Sequence, residues 1–296
     1  MARIAIIGAS GAIGGVIASL LQTTGKHELV LCVRTPIDRI VVQTPEGEVA
    51  LNGTLLTRPE DATPVDWVMI ATKAYDVDSA AQWLENLGAG AAPVAVLQNG
   101  VEHRERFAPY IAHERILPVM VDCPVERQPT QNGVARLVQR STMILRVEDE
   151  TLGHEFVGLF AGSTADVVAV EDWLTVAWKK LANNAVGALP ALVLKPAGVL
   201  HDEALGEVAL DIVRECIAVG RAEGANLPDS LAEDTLAACR RALPDSINSL
   251  HADRLAGRPI EIDARNGAIV RKGKTHGIPT PANSMAVALL KAMTAK

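Results

Sequence analysis

Residues 4–15 read Ile-Ala-Ile-Ile-Gly-Ala-Ser-Gly-Ala-Ile-Gly-Gly. A short buried strand runs into glycines and then into a helical pattern over residues 11–21. A glycine turn in this context binds a dinucleotide. Gly8 makes the turn, Gly11 lets a pyrophosphate approach the backbone, and Gly14 allows the helix to pack closely on the sheet. The helix N-terminus adds unpaired N–H groups and the positive end of its dipole. Residues Gly8, Ala9, Ser10, Gly11, Ala12, Ile13 and Gly14 are therefore the candidate cofactor turn. The spacing is G-x-x-G-x-x-G, one residue longer than G-x-G-x-x-G; the bland alternative is a structural turn in some other α/β protein.

Working outward, residues 28–33, 67–71, 94–97, 116–121 and 142–147 read as strands, and residues 77–87 as a helix. Residues 40–56 alternate apolar and polar around Pro-Glu-Gly at 45–47, the pattern of a hairpin. Strands alternating with helices predict β-α-β units and a mostly parallel sheet. From about Asp172 helical periods take over, at 172–189, 202–223, 228–242, 245–256, 260–272 and 281–293, punctuated by prolines and glycines. The expected architecture is α/β: a dinucleotide-binding domain over residues 1–168, then an all-helical domain over residues 169–296.

Composition agrees. Of 296 residues, 49% are hydrophobic but only 3% aromatic, so the core must be aliphatic, as in helices packed on a sheet. A charged fraction of 21% with this apolar content excludes disorder. The net charge of −7 gives no reason to expect a nucleic-acid partner. Cys32, Cys123, Cys216 and Cys239 form no C-x-x-C pair, and no H-E-x-x-H occurs, so no metal site is expected and the thiols read as reduced. The apolar start breaks at Gly8, too short for a signal peptide, and no stretch approaches the ~18 apolar residues of a membrane span. A cytoplasmic protein is expected.

Rival motifs fail on inspection. Ser10 does not sit in G-x-S-x-G. Gly273-Lys274-Thr275 has the ending of a P-loop, but position 268 is Ala and no strand precedes it. The Tyr-x-x-x-Lys of short-chain dehydrogenases is absent, since Tyr75 and Tyr110 are followed four residues later by Ser79 and Glu114. At the end of the second strand, where an acid would bind a ribose 2′-hydroxyl, stands Arg34, with Lys73 ending a later strand. A guanidinium there suits a 2′-phosphate and hence NADP(H); the alternative is a solvated surface arginine. Farther on, Lys180 and Asn184 share a helical face from which Lys179 points away, so a carbonyl oxygen could meet a lysine and an amide together. By itself that pair also describes a wet surface.

The chain resembles the ketopantoate reductase (2-dehydropantoate 2-reductase) family along essentially its whole length. The glycine turn, Ala71-Thr72-Lys73-Ala74, Leu97-Gln98-Asn99-Gly100-Val101, Trp178-Lys179-Lys180-Leu181 with Asn184, and Ser249 match in order. The most specific match is Glu261-Ile262-Asp263-Ala264-Arg265-Asn266-Gly267, continuing to Gly277-Ile278-Pro279-Thr280-Pro281-Ala282-Asn283. The resemblance implies a Rossmann-type domain, a helical domain and an active site in the cleft between them. It implies that the Gly8–Gly14 turn, Arg34 and Lys73 hold NADPH, with Asn99 near the nicotinamide ribose and substrate. Lys180 would be the general acid, Asn184 and Ser249 would bind substrate, and Glu261 would position the lysine or cofactor. Hydride arrival at a ketone carbon builds negative charge on its oxygen, and a protonated lysine both stabilises and protonates that oxygen.

Three departures bear on the substrate. The family's second Asn, eight residues after the lysine, is Ala188; its Asn-Gly after a proline is Ala197-Gly198; and Val121-Asp122-Cys123-Pro124 is atypical. The expected reaction is reduction of 2-dehydropantoate to (R)-pantoate. The alternatives are another 2-oxo acid on the same scaffold and a non-catalytic NADP-binding sensor. The apolar C-terminal helices could support a homodimer.

Overall fold

The computed structural model describes residues 1–88 and 91–294. The chain forms two compact units, Met1–Gln98 with His103–Trp173, and Asn99–Glu102 with Leu174–Lys296. The first contains the strands β1 (Ala2–Ile7), β2 (His27–Cys32), β3 (Arg39–Thr44), β4 (Gly47–Ala50), β5 (Thr54–Leu56), β6 (Trp67–Ile70) and β7 (Val94–Val96). It continues with β8 (Ile116–Pro118), β9 (Met120–Asp122), β10 (Val125–Arg127), β11 (Val134–Gln139), β12 (Ile144–Glu148) and β13 (Asp166–Val170).

Six strands pair in the order β5-β2-β1-β6-β7-β8, every neighbour parallel. The unbroken apolar runs follow from burial on both faces. Ile4 and Ile6 of β1, Leu29 and Leu31 of β2, and Trp67 and Met69 of β6 enter one core with Ile17 and Leu21 of helix Ala12–Thr23. Their neighbours Ala5, Ile7, Val30, Cys32, Val68 and Ile70 enter the other, with Trp83, Leu87 and Phe107. Strand order reverses between β1 and β6, and in open α/β sheets ligands bind beyond the carboxyl ends of the strands at such a point. Two smaller sheets, β10-β11-β3-β4 and β13-β12-β9, complete the unit.

Locally the chain departs from its sequence pattern. The hairpin of residues 40–56 closes earlier, as antiparallel β3 and β4, and residues 54–56 leave it to pair with β2. Residues 116–121 are two strands in different sheets: Ile116–Pro118 is the edge of the large sheet, where proline's missing N–H is tolerated, and Met120–Asp122 pairs with β12. The helix read at 77–87 is two short ones, Val77–Ala81 and Leu84–Gly88. Strands β10, β11 and β13 and helix Thr151–Leu159 have no counterpart in the sequence reading.

The second unit is helical among its described residues. Helix Trp173–Val186 ends at Gly187, and Ala188–Val193 follows as a separate short helix. Glu203–Ala222 and Pro281–Thr294 stand nearly where the period places them. The helix expected over 260–272 starts only at Asn266, so residues 261–265 form a turn. Ile262 and Ala264 are buried in that turn and Ile260 just before it, which gives them an apolar rhythm without a helix. Cys32 and Cys216 are buried free thiols, and burial pushes Cys32 up to about 12.

Candidate active site

In the first unit, the end of β1 makes the expected turn. Gly8 has φ +90°, open to glycine at little cost, and its N–H and that of Ala9 donate to the Cys32 carbonyl at 2.9 and 3.2 Å. The turn is thereby tied to the end of β2. Gly11 N–H donates to the Gly8 carbonyl at 2.8 Å, and a Cβ on Gly14 would lie 2.3 Å from that oxygen. Helix Ala12–Thr23 begins with no side-chain cap and no acid in its first turn, so its N-terminal N–H groups suit an anion.

Across the reversal point, Ala71 N–H donates to the Ile7 carbonyl at 2.9 Å. A Cβ on Gly8 would lie 3.1 Å from the Ala71 carbonyl, so these two strand ends meet backbone to backbone. Gln98 Nε2 donates to Thr72 Oγ1 at 3.1 Å and to the Lys73 carbonyl at 3.3 Å, fixing the loop that carries Lys73. Arg34 follows β2 with its side chain 78% exposed, its Nη1 3.5 Å from Asp76 Oδ1. A backbone cradle that a Cβ would fill fits a dinucleotide.

The second unit holds a polar relay. Asn99 Nδ2 donates to Glu261 Oε2 at 3.1 Å, and Asn184 Nδ2 donates to Asn99 Oδ1 at 3.3 Å. Glu261 is 3% exposed. Lys180 lies one turn before Asn184 on helix Trp173–Val186, half-buried, whereas Lys179 is exposed. Ser249 opens helix Ser249–Leu255, and its Oγ accepts from Arg265 Nη2 at 2.7 Å. Of the sequence candidates, direct hydrogen bonds join Asn99, Asn184 and Glu261, and Ser249 joins the same turn through Arg265.

The segment 99–102 is bound tightly to this unit. Gly100 has φ +109°, and a Cβ there would lie 2.6 Å from the Ala264 carbonyl. Val101 packs on the helical core, and Glu102 accepts two hydrogen bonds from Arg271, at 3.0 and 2.6 Å. Asn266 donates to the Ala185 carbonyl at 3.1 Å and to Asn283 Oδ1 at 2.9 Å, both within the buried interior. Asn248 caps the helix of Ser249 and donates to the Gly187 carbonyl at 3.0 Å. The supporting roles of Arg265, Arg271, Asn266 and Asn283 went unassigned in the sequence, although three of the four lie in the two quoted motif stretches.

Known families match both parts of the chain. Residues 4–146 match the model of "Ketopantoate reductase PanE/ApbA" and residues 172–294 that of "Ketopantoate reductase PanE/ApbA C terminal". The chain belongs to the ketopantoate reductase family. It is 49% identical to the 2-dehydropantoate 2-reductase of Caulobacter vibrioides, with 99% of each chain covered. A crystal structure of a PanE/ApbA family ketopantoate reductase from Ralstonia eutropha superposes with a TM-score of 0.87 at 28% identity, covering 99% of this chain and 98% of that one. D-mandelate dehydrogenase, in a ternary structure with NADH and anilino(oxo)acetate, shares the fold at a TM-score of 0.87 and 20% identity, with 99% and 98% covered.

As a ketopantoate reductase family member, the chain is an oxidoreductase that uses a nicotinamide cofactor and acts on a small molecule. Among the described residues no group of three or more His, Cys, Asp or Glu is placed to hold a metal ion, and no helix is long and apolar enough to cross a membrane.

Proposed function

We propose that this chain reduces 2-dehydropantoate to (R)-pantoate with NADPH, using Lys180 as the general acid. Residues 1–168 hold the dinucleotide through the Gly8–Gly14 turn, Arg34 and Lys73, and residues 169–296 supply the acid. The observation that carries the reading is the relay from Asn184 through Asn99 to the buried Glu261, starting one helical turn from Lys180. When bound, the nicotinamide supplies a hydride to the ketone carbon. Lys180 donates a proton to the carbonyl oxygen as its charge develops. Asn184 and Ser249 hold the substrate, and Glu261 fixes the orientation of Asn99 so that its amide faces the reactants in one sense only.

A second substrate has one observation in its favour. Ala188, where the family places an Asn, is fully buried against Ala191, Leu250, Ile260 and Ile262. A site that lacks a polar partner discriminates less sharply for a hydroxyl-bearing substrate. Following NADPH oxidation with ketopantoate and a panel of branched 2-oxo acids decides between them. Turnover of ketopantoate at low concentration supports the first reading, and preference for another 2-oxo acid supports the second.

The reading extends to assembly and location. Met285, Leu289 and Met293 repeat every four residues on the exposed side of helix Pro281–Thr294, a face that supports a homodimer, testable by light scattering. Four free cysteines suit the reducing cytoplasm.

A further inference from the structure

The turn before Asn266 buries a charge that none of the roles above uses. Arg265 is 3% exposed. Burial lowers its guanidinium from the ordinary arginine value, while the nearby carboxylates of Glu261 and Asp253 act to restore it. A cation in such a place is costly unless its donors are met. Nη2 is met by Ser249 Oγ at 2.7 Å, but Nε is buried with no hydrogen-bond partner. Asp253 meanwhile accepts from Arg258 Nε at 2.8 Å, so it is not reserved for Arg265. Packing alone would be served better by an apolar side chain.

We infer that Arg265 is a positioning residue for substrate: it donates to Ser249 Oγ from the buried side and so directs the serine proton outward, toward the carboxylate of a 2-oxo acid. This rests on the reduction reading above. A serine hydroxyl has one proton and two lone pairs. With Arg265 engaged on a lone pair, the proton remains to be donated elsewhere. Ser249 is exposed at the head of its helix whereas Arg265 is sealed beneath it. A buried cation behind an exposed donor strengthens that donor's hold on an anion. The Glu261 carboxylate also acts on the Arg265 guanidinium, so one cation is coupled to both Ser249 and the end of the asparagine relay. Ala188, sealed in its apolar cluster, offers no donor of its own.

The test uses the full chain with NADPH and ketopantoate. Arg265→Met is expected to raise the KM for ketopantoate by about tenfold or more, with the NADPH dissociation constant within about twofold of the parent. Ser249→Ala should raise KM comparably, and the double variant should be little worse than either single one, because both remove the same donated proton. Arg265→Gln, polar but uncharged, carries the same expectation and serves if the Met variant fails to fold. A folded Met or Gln variant with the parent KM, or losses that multiply in the double variant, overturns the role of Arg265. A parent chain that oxidises NADPH with no 2-oxo acid overturns instead the reading beneath it.

Discussion

Asn99 and Glu261 are 162 residues apart in sequence, yet Asn99 Nδ2 donates to Glu261 Oε2 at 3.1 Å. The same amide accepts from Asn184 on its oxygen, so both of its ends are committed and its orientation is set. Asn99→Ala removes a hydrogen bond to a charged, buried group. The expected cost is about 1.5–3 kcal/mol in transition-state stabilisation, roughly a 10- to 100-fold loss in kcat/KM. Steady-state kinetics beside a thermal melt checks it; a folded variant with parental kcat/KM removes the relay from the mechanism.

Lys180 and its neighbour separate chemistry from charge. Lys180 is half-buried on the face of Asn184 and Lys179 is exposed. Lys180→Ala should lose about 100- to 10,000-fold in kcat while still binding NADPH. Lys179→Ala should stay close to the parent. Equal effects of the two substitutions would assign the loss to surface charge.

Arg34 stands after β2 with its Nη1 3.5 Å from Asp76 Oδ1. Arg34→Ala should weaken NADPH by about 1.5–3 kcal/mol and leave NADH nearly unchanged, since a charge-assisted contact to the 2′-phosphate is all that is lost. Fluorescence titration of both cofactors reads this directly, and parallel weakening of the two would remove the 2′-phosphate role.

Gly100 is the backbone hinge-pin of the 99–102 segment. At φ +109°, with the Ala264 carbonyl 2.6 Å from where a Cβ would stand, Gly100→Ala combines strain with a clash. A loss of about 2–3 kcal/mol in unfolding free energy is expected, with activity falling as Asn99 shifts. Urea unfolding monitored by circular dichroism measures the first, and a parental midpoint would contradict it.

Glu223 supplies an acid-sensitive link between helices Glu203–Ala222 and Asn266–His276. Burial would raise its carboxyl, but hydrogen bonds from Lys272 and His276 outweigh burial and hold it below the ordinary carboxylate value. A carboxyl lowered in the folded state stabilises fully above its unfolded pKa, and that stability disappears as pH falls through the folded value. Glu223→Gln should therefore destabilise the chain at neutral pH and cost progressively less as the pH drops below the carboxylate range. Melting temperature against pH for both proteins shows it, and a gap independent of pH would refute it.

Much of this was legible in the residues alone. The strand, glycine turn and helix of residues 4–15 were legible because their geometry is local: turn, close approach and helix terminus lie within twelve positions. The long amphipathic helices were legible for the same reason, their period repeating over many turns. Short strands such as Val125–Arg127 carry too few residues for a period to register, and residues 116–121 hid a change of sheet inside one apolar run.

Family motifs in the sequence pointed to Lys180, Asn184, Asn99, Ser249 and Glu261 as candidates, but not to how they are joined. Sequence motifs name side chains one at a time, whereas a relay depends on which donor meets which acceptor after the chain has packed. Tertiary structure alone decided that residues 99–102 cluster with the helices, that Asn99 links Asn184 to Glu261, and that Arg265 lies buried behind Ser249. The physical reason is that burial makes hydrogen-bond pairing obligatory, and pairing is a property of the folded chain rather than of its order.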